Sequence, residues 1–163
     1  MKVAGTANSL TNKSSESRQI MEWLPDIAAW SDLIDRAAER NIFYSPGFAL
    51  AAAGHLLQAR AGNTIGIHHG GMLTGLFPGS LAGGPLPVWR ALVHPYGPLS
   101  TPLVDGSALE STLASWLDAV AALRPRPRAI VLPLLAENGP VAQEMSRLLT
   151  RRGLSAVRLD AHD

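Results

Sequence analysis

The chain contains no cysteine in its 163 residues. This excludes disulfides, thiolate metal sites and cysteine nucleophiles, and it fits a reducing compartment. Charge is also scarce. Asp, Glu, Lys and Arg make up 17% of the residues, against roughly 25% in an average soluble protein. Two readings of that scarcity stand side by side: part of the surface is covered by a partner, or the composition reflects an Ala/Gly/Pro-rich genome. No apolar run reaches the ~18–20 residues that span a bilayer, and the N-terminus lacks the apolar stretch of a secretory signal. A cytoplasmic location without a membrane span is therefore expected. The net charge of +1 exerts no global pull toward nucleic acid, and no nucleic-acid partner is expected.

Several chemical signatures are missing as well. The five histidines form neither H-x-H nor H-E-x-x-H, so no metal site is expected. His68 and His69 are adjacent on a strand end and point to opposite faces. The run His68-His69-Gly70-Gly71 resembles the H-G-G-G oxyanion loop of lipases. A hydrolase would also need G-x-S-x-G, and Ser80 has Pro78, not glycine, two residues before it. Neither G-x-x-x-x-G-K-[ST] nor G-x-G-x-x-G occurs, and Gly83-Gly84-Pro85 precedes a strand rather than a helix. The charge that is present is unevenly spread. Residues 22–123 hold four basic and eight acidic side chains, and residues 124–163 hold seven basic and four acidic. Arg124, Arg126 and Arg128 alternate with Pro125 and Pro127, as a solvated linker or as an anion site.

What the chain does have is an order of elements. Residues 1–21 are polar and aperiodic and read as a disordered tail, with a single domain over 22–163. Ile27, Trp30, Leu33, Ile34 and Ala37 keep helical spacing from Asp26 to Arg40, with Asn41 as the stop. Ser45-Pro46 opens a second helix running to about Gln58. Ile65–His68 and Met72–Phe77 flank Gly70-Gly71, a hairpin signal. Gly79 to Pro87 reads as a loop. Val88 to Val93 is a third strand, with Val88, Arg90, Leu92 and His94 on one face and Trp89, Ala91 and Val93 on the other. A Pro/Gly loop leads to a helix over Leu109–Leu123, with Ser107 and Glu110 as an S-x-x-E capping box. Ala129–Leu135 has the continuous apolar character of a strand covered on both faces. Pro140 opens a helix that Gly153 ends, and Leu154–Leu159 reads as a final strand. The expected fold is a mixed α/β sheet, order α-α-β-β-β-α-β-α-β, with helices on both faces.

Trp30-Ser31-Asp32-Leu33, Asn41-Ile42-Phe43-Tyr44-Ser45-Pro46-Gly47-Phe48 and the loop Tyr96-Gly97-Pro98-Leu99…Pro102-Leu103 together resemble the N-terminal half of a bacterial family. This is the cellulose-biosynthesis-type (CelD/BcsL-like) acetyltransferase family, within the GNAT superfamily and akin to FemAB-type aminoacyltransferases. The resemblance spans about residues 22–160 and implies a GNAT-like (acyl-CoA N-acyltransferase-like) domain. In that family two such halves lie in tandem, and acyl-CoA binding and catalysis are expected of the C-terminal one. A GNAT pyrophosphate turn reads Q/R-x-x-G-x-G/A. Here the corresponding stretch, His94 to Leu109, carries prolines at 95, 98 and 102, which remove amide donors. No cofactor-binding residue carries over from the family.

The resemblance therefore implies a non-catalytic half of a two-part acyltransferase that shapes the acceptor-substrate groove. Acetyl-CoA or another acyl-CoA would be held by the full assembly. The expected partner is a second GNAT-like domain or another copy of the chain. One alternative is a stand-alone N-acetyltransferase with a divergent cofactor site, in which His94 or Tyr96 at the strand end serves as acid or base. Tyr96 equally suits a packed loop corner. The other alternative is a non-enzymatic binding or assembly module.

Overall fold

The computed structural model describes residues 26–55, 64–93 and 95–158. The expected tail, Trp23 and Leu24, residues 56–58 of the second helix, His94 and Leu159 lie outside them. The first helix, α1, spans Ile27–Arg36, and the Asp26 carboxylate accepts from the Ala28 amide. It buries Trp30 and Leu33. It stops short of Arg40 because the next residues are extended: Ala37 bridges to Asp105, and the Ala38 amide donates to Val104 O at 2.8 Å. Asn41 does not end α1 but caps a 3-10 turn, Ile42–Tyr44. Helix α2, Pro46–His55, follows, with Ser45 Oγ accepting from the Phe48 amide.

Strands β1 (Ile65–His69) and β2 (Met72–Phe77) form the expected antiparallel hairpin. Gly70 and Gly71 have φ of 59° and 80°. Positive φ at both central positions makes a tight turn whose twist matches the strands, which is why two glycines stand here. One proline, Pro78, then separates β2 from β3 (Gly79–Ala82). Gly79 begins a strand rather than the expected loop because its backbone lies flush on the Trp89 ring, where a Cβ would overlap it. Strand β4 (Val88–Ala91) pairs antiparallel with β3, and the two-residue β5 (Leu103–Val104) pairs antiparallel with β2. A 3-10 turn, Gly106–Ala108, leads into α3 (Leu109–Ala122). Strand β6 (Ala129–Val131) lies parallel to β4, and α4 (Pro140–Arg151) is the last helix of the described residues.

The described residues thus form a mixed α/β fold with four α-helices and two three-stranded sheets, ordered β1-β2-β5 and β3-β4-β6. The order α-α-β-β-β-β-β-α-β-α replaces the expected α-α-β-β-β-α-β-α-β. Two added strands and the loss of the last one account for it, and the single expected sheet is split in two. Gly79–Ala82 and Leu103–Val104 are additional strands. Val88–Ala91 belongs to the second sheet rather than beside the hairpin. Leu154–Arg158 is exposed and, among the described residues, pairs with no strand. The continuous apolar run at 129–135 also differs. It forms a three-residue edge strand with Ala129 exposed, not one covered on both faces.

Helices do cover both faces of the first sheet. The neighbours Leu103 and Val104 point to opposite sides and are both fully buried. Leu103 joins Trp30, Leu33, Tyr44, Leu73 and Leu76 beside α1. Val104 joins Ile67, Phe77 and Leu113 beneath α3, in a cluster that reaches Val141, Met145 and Leu148 of α4. At its centre the Trp116 ring stacks on Phe77 at 4.7 Å and meets Trp89 edge-on at 5.3 Å. Arg151 with Glu110 and Arg152 with Asp118 tie α4 to α3 at the surface. Glu110 therefore pairs across helices instead of closing a capping box, and α3 has no side-chain cap of its own.

Candidate functional site

Strands β4 and β6 are parallel, so their carboxyl ends open at the same end of the sheet. Ligand crevices in α/β folds tend to form at such ends. The chain leaves β4 through Leu92 and Val93 and leaves β6 toward the first turn of α4. Two side-chain anchors fix the loop from Tyr96 to Pro102, and a third holds Leu92 at the end of β4. Asn41, 1% exposed, donates from Nδ2 to Leu99 O at 3.2 Å and Thr101 O at 2.9 Å. Thr101 Oγ1 accepts from the Ala136 amide at 3.3 Å. The Tyr44 hydroxyl donates to Leu92 O at 2.6 Å. Trp30 Nε1 in turn donates to Tyr44 O at 2.8 Å. Three residues of the resembling motifs, Trp30, Asn41 and Tyr44, thus form one brace that positions the end of β4 and the loop after it.

Burial pushes the Tyr44 phenol well above its ordinary value of about 10. The neutral form is therefore favoured by folding. Its contribution is complete below the unfolded-state value and is lost as pH rises toward the folded-state value. The chain has two tyrosines. In a Tyr96→Phe variant, the remaining tyrosinate absorbance is expected to appear together with the loss of far-UV circular dichroism, as one alkaline transition. Tyrosinate appearing while the dichroism is intact would contradict the assignment.

Of the two sequence candidates, His94 lies outside the described residues, and Tyr96 is 70% exposed. Tyr44 is committed to a backbone carbonyl. Ser100, between the anchored carbonyls, is buried with no partner for its hydroxyl among the described residues. Leu134, at φ 52°, and Leu99 are exposed on the two loops that meet here. The arrangement presents a firmly held, largely apolar loop surface.

Helix N-termini also attract anions through their free amides. Strand β5, not β4, leads into α3, so the relevant turn is Asp105-Gly106-Ser107-Ala108 rather than the whole stretch from His94. Asp105 is buried there. Its carboxylate accepts from the Ser107 amide at 2.8 Å and from Ser107 Oγ at 2.7 Å. The cap of this turn is thus Asp105, and Ser107 is its donor. Asp105 also pairs with Arg36, which reaches Asp32 and Leu73 O. At α4, Glu39 Oε1 accepts from the Val141 amide at 2.7 Å. Gly139 makes room for it, because a Cβ there would overlap the carboxylate. The chain's own carboxylates thus occupy the turn before α3 and the first turn of α4. Asp105 had a sequence signal, a capping-type Asp two residues before a serine at a helix start. Glu39 had none.

The histidines of the hairpin divide as expected, with His68 exposed and His69 half-buried. Thr74 Oγ1 donates to Ile67 O and accepts from Thr112 Oγ1 at 3.1 Å. This assigns the proton on His69 to Nδ1, 3.3 Å from Thr74 Oγ1, and leaves Nε2 to accept from Ser115 Oγ at 3.3 Å. Ser115 sits inside α3, where neighbouring amides are committed to helix carbonyls, so no oxyanion donors face it. The network ties the hairpin to α3. Among the described residues, no three His, Asp or Glu side chains gather as a metal site would require, and no helix is long and apolar enough to cross a membrane. No family model matches this chain, and neither does any curated protein or solved structure.

Proposed function

We propose that this chain is a non-catalytic half of a two-part acyltransferase of the kind its motifs resemble. It shapes the acceptor-substrate groove at the carboxyl end of β4 and leaves acyl-CoA to a partner domain. One observation carries the non-catalytic part: the Asp105 carboxylate fills the 3-10 turn that leads into α3, and the Glu39 carboxylate fills the start of α4. A pyrophosphate needs those amides and their positive potential. Two like charges about 4 Å apart repel by ~4 kcal/mol at an effective dielectric of about 20, larger than the ~0.3–2 kcal/mol that a helix terminus offers an anion. The rigid brace of Trp30, Asn41 and Tyr44 supports the groove-shaping role, since it fixes the loop that would line an acceptor.

Calorimetric titration of the protein with acetyl-CoA tests this reading. No binding heat is expected up to millimolar ligand. Micromolar affinity would overturn it and favour a stand-alone N-acetyltransferase whose cofactor lies away from both helix starts.

A further inference from the structure

The amino end of the second sheet carries charge of one sign only. No Asp or Glu occurs between Glu39 and Asp105, or between Asp118 and Glu137. Strands β3, β4 and β6 come wholly from these two stretches. Because β4 and β6 run parallel, the turn at 83–87 and the segment 124–128 enter the sheet at the same end. Val88 pairs with Ala129, and the Arg128 amide donates to Pro87 O at 2.7 Å. Arg128 is therefore a direct neighbour of that turn, and Arg126 stands two residues before it. Both are exposed and, among the described residues, neither meets a carboxylate. By contrast, Arg36, Arg147, Arg151, Arg152 and Arg158 are all paired with acids. Arg124 turns back to Ala122 O and Leu123 O at the end of α3, both at 2.9 Å.

The turn beside these arginines is apolar and poor in hydrogen-bond donors. Residues 82–86 are all exposed, and Leu86 is 63% exposed. Pro85 and Pro87 have no amide that could lose its water. The Pro87 carbonyl is already satisfied by Arg128. Few backbone groups are thus left unpaired when this turn leaves water, which suits an apolar boundary where each unpaired group is costly.

We infer that this end of the sheet docks the chain on an anionic bilayer surface. Leu86 enters the headgroup–acyl boundary between its two prolines, and Arg126 and Arg128 take lipid phosphates. An apolar insertion and a basic cluster reinforce each other in such binding. The net charge of +1 gives no long-range pull, so the attraction is local and confined to about a Debye length, ~8–10 Å. A nucleic acid would satisfy the arginines but leave Leu86 wet. A protein partner needs about 800 Å² of matching surface on each side, more than a five-residue turn offers, whereas a bilayer needs no matched shape. The inference goes beyond the reading above. The proposed groove lies at the other end of β4, and the docking stands whether or not acyl-CoA binds.

The test sediments the full chain with phosphatidylcholine vesicles containing about one third phosphatidylserine. Co-sedimentation is expected, and it should weaken as salt rises. Arg126→Gln/Arg128→Gln should lower the affinity about tenfold or more, since each basic residue near such a surface contributes about fivefold. Leu86→Glu should lower it about as much. Circular dichroism should stay unchanged in both, because all three side chains are exposed. The chain has no cysteine, so Leu86→Cys accepts a single polarity-sensitive label. Its emission should shift to the blue with vesicles, while the same label on Leu134→Cys, past the other end of β6, should not respond. Absent sedimentation, equal sedimentation with pure phosphatidylcholine, or equal shifts at the two labels would each overturn the inference. So would indifference to either variant, or tighter binding of duplex DNA through the same arginines. Release by millimolar glycerophosphoserine would overturn it too, by marking a pocket for a free headgroup. Acetyl-CoA binding with the vesicle result intact would remove only the non-catalytic reading.

Discussion

Replacing Trp116 with alanine is expected to cost about 3–5 kcal/mol, comparable with the ~5–15 kcal/mol that holds a whole domain together. The residue is 1% exposed and touches the ring systems of both sheets, Phe77 of β2 and Trp89 of β4. Its loss opens a cavity where α3 faces both sheets, and the neighbours are too large and too interlocked to collapse into it. Urea unfolding should show the midpoint collapse, or no folded baseline at all. Trp116→Phe serves as the control. The Trp116 indole N–H finds no acceptor among the described residues, so phenylalanine loses volume but no hydrogen bond. It should cost roughly half as much or less. Equal destabilisation by the two variants would show that shape at the rim, not the filled centre, governs this core.

The second large effect is expected at Asp105. In Asp105→Ala, Arg36 loses its most buried partner, while the Ser107 amide and hydroxyl lose their acceptor. Removing one member of a fully buried pair costs about 3–5 kcal/mol. Arg36 is about a quarter exposed and keeps Asp32 and Leu73 O, so about 2–4 kcal/mol is the expected loss once solvent screening is allowed for. Asp105→Asn keeps the cap and loses the charge, and should fall at about 1–2 kcal/mol. A double-mutant cycle with Arg36→Gln isolates the pair, and a coupling below about 0.5 kcal/mol would mean that Asp105 acts only as a cap.

Much of the fold was legible where local chemistry decides. Gly70-Gly71 specified a turn because few other residues tolerate positive φ twice in succession. Ser45-Pro46, Pro140 and Gly153 marked helix ends for equally local reasons. The alternation at Val88–Ala91 correctly separated Trp89 from Arg90. What could not be read depended on distant partners. Gly79–Ala82 looks like a loop until Trp89 is known to lie against Gly79. Leu103-Val104 is too short to carry a period, and its strand character comes from β2. Residues 154–158 have the composition of a strand but pair with none of the described strands. At the site, Asn41 and Tyr44 stood out as motif residues, yet their partners lie tens of residues away in sequence, so only the folded chain shows them as a brace. Glu39 was invisible as a helix cap, because a carboxylate from before the 3-10 turn reaches a helix that begins at residue 140.

Leu103 and Val104 are consecutive, yet each belongs to a different hydrophobic cluster. The wall between the two cores is at this point a single backbone thick. Loosening of α1 withdraws cover from Leu103 and frees β5, and once β5 moves Val104 leaves the other core with it. Neither side has a stable half-melted form to rest in. The two sheets and the helices around them should therefore behave as one cooperative unit, with a two-residue strand setting the size of the smallest opening that exposes both interiors.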